Sequence, residues 1–204
     1  MLNTETENRI IEAAEKLFYR KGKAGTSMQD IADQAGINRT LLNYYFRSKD
    51  MLFETVFRKA MRIFVPNLVA MLNSDVTFSE YVTQMVNLII DSMLENPRIP
   101  IFVLQELSSN PERMPQIIME MGSDPGKIMN KFENEKVAMG FGDLDPRQVM
   151  INILSLCIFP FAARPVVTNI LYGGDEEAFV EAMKERKIYL PKMIMETLKR
   201  NSLP

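Results

Sequence analysis

Histidine and tryptophan are absent from this chain of 204 residues, and cysteine occurs once, as Cys157. Histidine is the commonest general base and a frequent zinc ligand, so its absence removes the usual means of acid–base catalysis and zinc binding. One cysteine excludes a disulfide within the chain, and its apolar surroundings favour a buried thiol over a redox sensor. We therefore predict that the chain is not an enzyme and uses no metal or other cofactor.

The sequence also lacks an apolar run long enough to cross a membrane, since Pro160, Arg164 and Pro165 interrupt the best candidate. Charges are spread through residues 1–20, which is unlike a secretory signal peptide. With a single cysteine, these features predict a reducing, cytoplasmic location and no membrane partner. The alternation of apolar and polar residues that is typical of strands is missing as well, so the fold class predicted is all-α.

The charge is divided unevenly along the chain, although the net value is only −2. Residues 1–62 contain 11 Lys+Arg and 8 Asp+Glu, whereas residues 63–204 contain 13 and 18. Because salt screens charges beyond about 10 Å, a nucleic acid would respond to the local basic excess of the N-terminal part.

The stretch from Ser27 to Lys49 is the most informative part of the sequence, and it reads SMQDIADQAGINRTLLNYYFRSK. Apolar residues at helical spacing predict two short helices, Met28–Ala35 and Arg39–Phe46. Gly36 stands where the chain leaves the first helix, a position that requires a positive φ and suits glycine. Two helices joined in this way are typical of a helix-turn-helix, whose second helix enters the DNA major groove.

Two further patterns support this interpretation. Ser27 and Asp30 have the spacing of a capping box at the start of the first helix. The outer face of the second helix, including the residue just before it, carries side chains that can hydrogen-bond to base edges and phosphates. These side chains are Asn38, Arg39, Thr40, Asn43 and Tyr44. The alternative is an ordinary helical hairpin whose polar face meets only water.

The segment TSMQDIADQAGINRTLLNYYFRSKDMLF resembles the N-terminal signature of the TetR family of transcriptional regulators. The matching pieces are T-S-x-x-D-I-A, the A-G-I turn, and Y-Y-F-x-S-K-D-x-L leading into a fourth helix, and the resemblance covers about residues 5–60. It implies phosphate contacts for Ser27, Tyr44, Tyr45 and Lys49, beside base contacts that we predict for Arg39, Thr40 and Asn43. Many members carry Gly-Thr-Leu-Tyr where this chain has Thr40-Leu41-Leu42-Asn43. Phosphate contacts assigned to that Thr and Tyr therefore do not transfer to Leu41 and Asn43.

The remaining sequence predicts about nine helices in total, arranged as a DNA-binding domain (residues 1–47) and a ligand-binding and dimerisation domain (residues 48–204). Ser48 is predicted to cap the fourth helix, which Pro66 should kink or end. The other predicted helices are Glu5–Lys21, Phe78–Glu95, Ile101–Ser108, Pro115–Met121, a helix from Asp124 to about Met139, Pro146–Ala163 and Asp175–Leu198. Gly140–Gly142 is predicted to be a loop, and Pro191 a kink in the last helix.

Sixteen methionines, many of them beside phenylalanines in residues 61–150, suit either a core or a pocket for apolar molecules. Each one taken singly is more simply a core residue, but the resemblance implies that some line a ligand cavity. The candidates for ligand contact are Met61, Phe64, Met85, Phe102 and Gln105. The predicted helix Pro146–Ala163 is apolar on nearly all sides, which indicates that it and the last helix pair with their copies in a homodimer. Ile153, Leu156 and Met193 are the predicted interface residues.

These observations favour a homodimeric repressor that binds a palindromic, double-stranded DNA operator and is released by a small, largely apolar effector. A constitutive DNA-binding protein without ligand control is the first alternative, and a helical enzyme or carrier is a weaker one. The acidic pairs Glu133/Glu135 and Glu176/Glu177 are interpreted as surface charge rather than as catalytic carboxylates.

Overall fold

The structure is a computed structural model that describes residues 4–136 and 145–200, and in these ranges the chain forms eleven α-helices and no strand. The helices are α1 (Thr4–Lys21), α2 (Met28–Ala35), α3 (Arg39–Tyr45), α4 (Lys49–Leu72), α5 (Phe78–Glu95), α6 (Ile99–Ser109), α7 (Arg113–Glu120), α8 (Lys127–Lys136), α9 (Pro146–Ala162), α10 (Arg164–Leu171) and α11 (Glu176–Arg200). The all-α prediction is confirmed. The eleven helices compare with about nine predicted, and no helix is predicted for the segment before Gly173 that forms α10. The predicted loop Gly140–Gly142 lies outside the described residues.

The fourth helix continues through Pro66 to Leu72 instead of ending there. Proline removes the N–H that would bond to the carbonyl of Arg62. Arg62 and Pro66 both lie on the exposed side of α4, where water can solvate that carbonyl, while Val65 is fully buried on the other side. Packing of the buried side therefore decides the length of α4 more than its proline does.

A second proline, Pro160, lies inside α9. The carbonyl that loses its helical partner belongs to Leu156, and Nη2 of Arg186 on α11 donates a hydrogen bond to it at 2.8 Å. The last helix likewise continues through Pro191.

In the described ranges no single helix combines the length and apolar character needed to cross a membrane, and α9 with α10 meets both only as a pair bent by 78°.

Two apolar clusters form the interior. The first joins α1–α3 to most of the length of α4 and to residues of α6 and α7, among them Phe18, Leu42, Phe57, Phe102 and Ile118. The second is formed mainly by α5, α8, α9 and α11. The apolar interior is thus continuous across residue 47, and the division into residues 1–47 and 48–204 stays a prediction about function.

Candidate nucleic-acid interface

The α2–turn–α3 unit has the local geometry that its sequence predicts. Ser27 Oγ accepts the Asp30 N–H at 3.1 Å, and the Asp30 carboxylate accepts the Ser27 N–H at 2.9 Å, which together form the capping box. The Ser27 hydroxyl and the Ser27 N–H both donate to the Asp30 carboxylate, and these two hydrogen bonds hold the pKa of that carboxyl below its usual value. Gly36 has φ 65°, in the left-handed region. Nη2 of Arg9 on α1 donates to the Ala35 carbonyl at 2.6 Å and ties α1 to the turn.

The third helix presents one face to the core and the opposite face to solvent. Leu42 is fully buried, and Tyr45 is half-buried with its ring centroid 5.7 Å from that of Tyr44. Solvent reaches every predicted base-contact residue. The exposed residues of α3 are Arg39, Thr40, Leu41, Asn43 and Tyr44. Four of these five side chains can hydrogen-bond, so α3 has the composition of a recognition helix.

Three predicted DNA contacts also make hydrogen bonds within the chain. The Asn38 side-chain oxygen accepts the Leu41 N–H at 2.8 Å and caps α3, which leaves its amide group available as a donor. The Ser27 hydroxyl donates to Asp30 at 2.7 Å. Lys49 Nζ donates to the carbonyls of Lys23 and Thr26 at 2.9 and 3.0 Å. Sequence reasoning missed this role of Lys49, because its partners lie more than 20 residues away. The phosphate contacts of Ser27 and Lys49 stay predictions.

A cavity of about 300 Å³ lies between α4, α5, α6, α7 and α9. Its lining is apolar apart from Ser92 and includes no charged residue. The lining residues are Ala60, Met61, Ile63, Phe64, Ile89, Ser92, Met93, Ile99, Pro100, Val103, Leu104, Leu107, Met114, Leu154 and Ile158. The volume is at the small end of the range for ligand pockets, roughly 300–1,000 Å³.

The structure does not bring the five predicted ligand contacts together. Met61 and Phe64 line the cavity, whereas Met85 is buried in the second apolar cluster and does not line it. Phe102 packs against the aromatic rings of the N-terminal core, and Gln105 lines an exposed groove beside Gly22. Helix α6 contributes more lining residues than any other helix, and its apolar sequence could have indicated them, but sequence alone does not tell which helices surround a cavity.

The predicted dimer residues differ in burial. Ile153 is fully buried within its own chain, so its proposed place on the interface needs correction: on α9 it points into the second apolar cluster. Leu156 and Met193 are half-buried and line a shallow apolar cleft of about 100 Å³ between α9 and α11. Large apolar side chains remain uncovered on both helices. They are Ile151, Phe159, Ile188 and Tyr189, between 53% and 67% exposed.

Cys157 is buried, and burial raises the pKa of its thiol to about 12. A thiol in this state is protonated and unreactive at neutral pH. In the parts of the chain that the structure describes, no three His, Cys, Asp or Glu side chains are grouped as metal ligands.

Comparison with known proteins connects this architecture to bacterial regulators. The model for bacterial regulatory proteins of the tetR family matches residues 10–56. The probable HTH-type transcriptional regulator YttP of Bacillus subtilis is 24% identical over 197 residues, covering 93% of this chain and 94% of that protein. The HTH-type transcriptional regulator TtgR of Pseudomonas putida is 42% identical over 52 residues, a quarter of either chain. The structure of the ketosteroid transcriptional regulator KstR2 of Mycobacterium tuberculosis covers 97% of this chain with a TM-score of 0.68 at 17% identity, which supports the fold.

Proposed function

We propose that this chain, which belongs to the TetR family of bacterial transcriptional regulators, is a repressor that binds a palindromic operator as a homodimer and is released by a small, uncharged, largely apolar effector. The observation that carries the DNA-binding part is the exposed polar face of α3, held by a capped helix-turn-helix. DNA-binding transcription regulation is the activity of this family, and the chain is not an enzyme. The dimer, the operator and the effector are the proposed elements.

On the operator, α3 lies in the major groove with its N-terminal end towards the bases. Arg39, Thr40 and Asn43 contact base edges, while Tyr44 and the remaining donor of Lys49 contact phosphates. The Ser27 hydroxyl contacts a phosphate by turning its O–H from Asp30 to the DNA. Asn38 both caps α3 and offers its amide group to the DNA, and Tyr45 supports the position of Tyr44. The excess of Lys and Arg over Asp and Glu in residues 1–62 also favours the binding of this part of the chain to DNA phosphates.

The homodimer forms through α9 and α11. Their uncovered apolar side chains, together with Leu156 and Met193, supply a surface that a second copy can bury. Two recognition helices related by a two-fold axis enter successive major grooves when they lie about 34–36 Å apart. One module contacts too few base pairs for useful specificity, so the dimer doubles the recognised sequence.

The effector occupies the apolar cavity. Because no charged side chain lines the cavity, a charged molecule would lose its hydration there without a compensating partner. Ser92 is the one polar side chain in the lining, and it can form a hydrogen bond with a hydroxyl or carbonyl group of the effector. An uncharged molecule with a single polar group satisfies both conditions.

Helix α6 connects the cavity to the DNA-binding module. On one side Val103 and Leu107 line the cavity. On the other side the Phe102 ring lies 4.8 Å from Tyr19 and 5.4 Å from Phe53, between ring centroids. An effector that displaces α6, or the α4 residues that line the same cavity, thereby moves the module and changes the spacing of the two recognition helices. A coupling free energy of about 1–3 kcal/mol is typical of such linked sites.

The test has two parts. Operator sequences are first selected from random double-stranded DNA, and binding is measured by fluorescence anisotropy for the wild type and Arg39→Ala. Loss of the arginine should weaken operator binding by about 1–3 kcal/mol and reduce the base specificity at one operator position. Wild-type affinity in the variant would show that the recognition face is misassigned.

The second part uses Nile red and 1-decanol as uncharged probes of the cavity. Both should bind the wild type and weaken its operator binding, whereas Val103→Trp, which fills the cavity, should abolish both effects. Met119→Trp, at an exposed site on α7, is the matched control. Operator affinity unchanged under saturating probe would favour a constitutive DNA-binding protein.

A further inference from the structure

The helix-turn-helix module buries or half-buries its large apolar side chains with two exceptions. Among residues 4–47, Leu41 and Tyr44 are the only large hydrophobic residues that are exposed, at 37% and 71%. Both lie on α3, three residues apart, and residues at this spacing share one face of a helix. Leu41 is a partly exposed apolar residue on the helix proposed to enter the groove, so we ask which group of the DNA it contacts.

Leu41 lies beside the buried face of α3, not within it. It is the third residue of α3, in the first turn, and its N–H is already bonded to Asn38. Leu42, which follows it, is fully buried, and successive residues on a helix are about 100° apart. The first turn of a recognition helix is the part that contacts base edges.

The chemistry of leucine narrows the choice of partner. Its side chain has no hydrogen-bond donor, so it cannot bind a phosphate, and placing it against a polar base edge would remove water without compensation. The major groove contains one apolar group on an unmodified base edge, the C5-methyl group of thymine. Building on the operator recognition proposed above, we propose that Leu41 is a specificity-determining residue that selects thymine at one position of each half-site by contacting its methyl group.

The test removes only the methyl groups. In the selected operator, each thymine is replaced in turn by deoxyuridine, symmetrically in both half-sites, and affinity is measured at one fixed salt concentration. For the wild type, one position should show a loss of about fourfold per half-site, or about 15-fold for the dimer, which corresponds to one buried methyl group in each half-site. Leu41→Ala should bind the thymine and deoxyuridine operators equally at that position.

Two further variants complete the experiment. Leu41→Met keeps an apolar side chain of similar volume and should retain the sensitivity to deoxyuridine. Met51→Ala removes an exposed apolar side chain outside α3 and should leave the pattern of the wild type unchanged. Because Leu41 is exposed and its N–H stays bonded to Asn38, the alanine variant should fold like the wild type.

The outcomes separate this assignment from the repressor function. If Leu41→Ala still binds the operator but responds to every deoxyuridine as the wild type does, the role of Leu41 is overturned while operator recognition stands. If the wild type enriches no sequence at all, operator recognition itself fails, and the role of Leu41 with it.

Discussion

At the scale of single residues, Lys49 combines a structural contact with a proposed DNA contact. Its ammonium group donates to the carbonyls of Lys23 and Thr26, and so fixes the loop between α1 and α2 to the start of α4. A surface lysine without these two hydrogen bonds would affect DNA affinity but not stability. Substitutions at this position therefore need two measurements, one of stability and one of affinity.

Lys49→Met keeps the apolar stem and removes the ammonium group. We expect the free energy of unfolding in urea to fall by about 1–3 kcal/mol, because two carbonyls lose a charged donor. Affinity should fall by the same factor for all DNA sequences. The slope of log affinity against log salt concentration should decrease by about 1, which corresponds to the loss of one phosphate contact. Lys16→Met, at an exposed lysine for which the described structure shows no partner, is the stability control. An unchanged unfolding free energy would limit Lys49 to a DNA contact.

Cys157 provides a probe of the second apolar cluster, because it is the one cysteine in the chain. Burial raises the pKa of its thiol to about 12 from an ordinary 9.0, against a smaller lowering by Arg186. At pH 8 the thiolate fraction in the folded protein should be about a thousand times lower than in the unfolded chain, so iodoacetamide should react slowly until urea is added. Since the pKa is raised on folding, stability falls as the pH rises above the ordinary thiol pKa. Equal alkylation rates with and without urea would contradict the burial of this thiol.

At the scale of helices, Arg113 on α7 joins α6 to α4. Its guanidinium group bonds to both Glu106 and Glu54 and lies 4.1 Å from the centroid of the Phe57 ring. Glu106 is buried and also accepts a hydrogen bond from Asn110 at 3.0 Å. This ion-pair network lies beside the cavity, since Met114, the next residue after Arg113, lines it.

Arg113→Ala should lower the free energy of unfolding by about 3 kcal/mol, because it leaves the buried carboxylate of Glu106 without its cation. Adding Glu106→Gln should recover part of this loss, since the amide carries no charge to desolvate. Urea unfolding of the two single variants and the double variant measures the coupling. Arg62→Ala, at an exposed arginine of α4, is the control for loss of a surface charge. Additive effects of the two substitutions would show that the arginine does not stabilise Glu106.

At the scale of the whole molecule, the uncovered apolar faces of α9 and α11 predict the oligomeric state. Phe159 is 63% exposed in a single chain, so a charge there should leave the fold intact and oppose the contact with a second copy. Phe159→Glu is expected to be a folded monomer by light scattering, with reduced operator affinity. Met119→Glu, at a similarly exposed site on α7, should remain a dimer. A wild-type protein that is monomeric at micromolar concentration would remove the dimer proposal.

The sequence alone was sufficient for the features that neighbouring residues control. The capping box of Ser27 and Asp30, the positive φ of Gly36 and the bounds Met28–Ala35 were all predicted, because each depends on side chains within a few positions of the backbone that they support. The start of α9 at Pro146 was predicted for the same reason, and Asp145 caps it. The polar composition of the outer face of α3 was also predicted from the helical spacing of its residues. Once Leu42 is assigned to the buried face, the spacing sets which residues lie on the outer face.

Tertiary structure decided what depends on residues far apart in the chain. Pro66 does not end α4, because buried neighbours such as Val65 hold the helix. Ile153 faces its own core, because that side of α9 packs into the second apolar cluster. Met85 and Met61 have the same chemistry, yet only Met61 lines the cavity. Helical spacing identifies an apolar face but not the element that covers it, and five helices from separate parts of the chain enclose this cavity. Its position therefore depends on packing between helices, which no local pattern specifies.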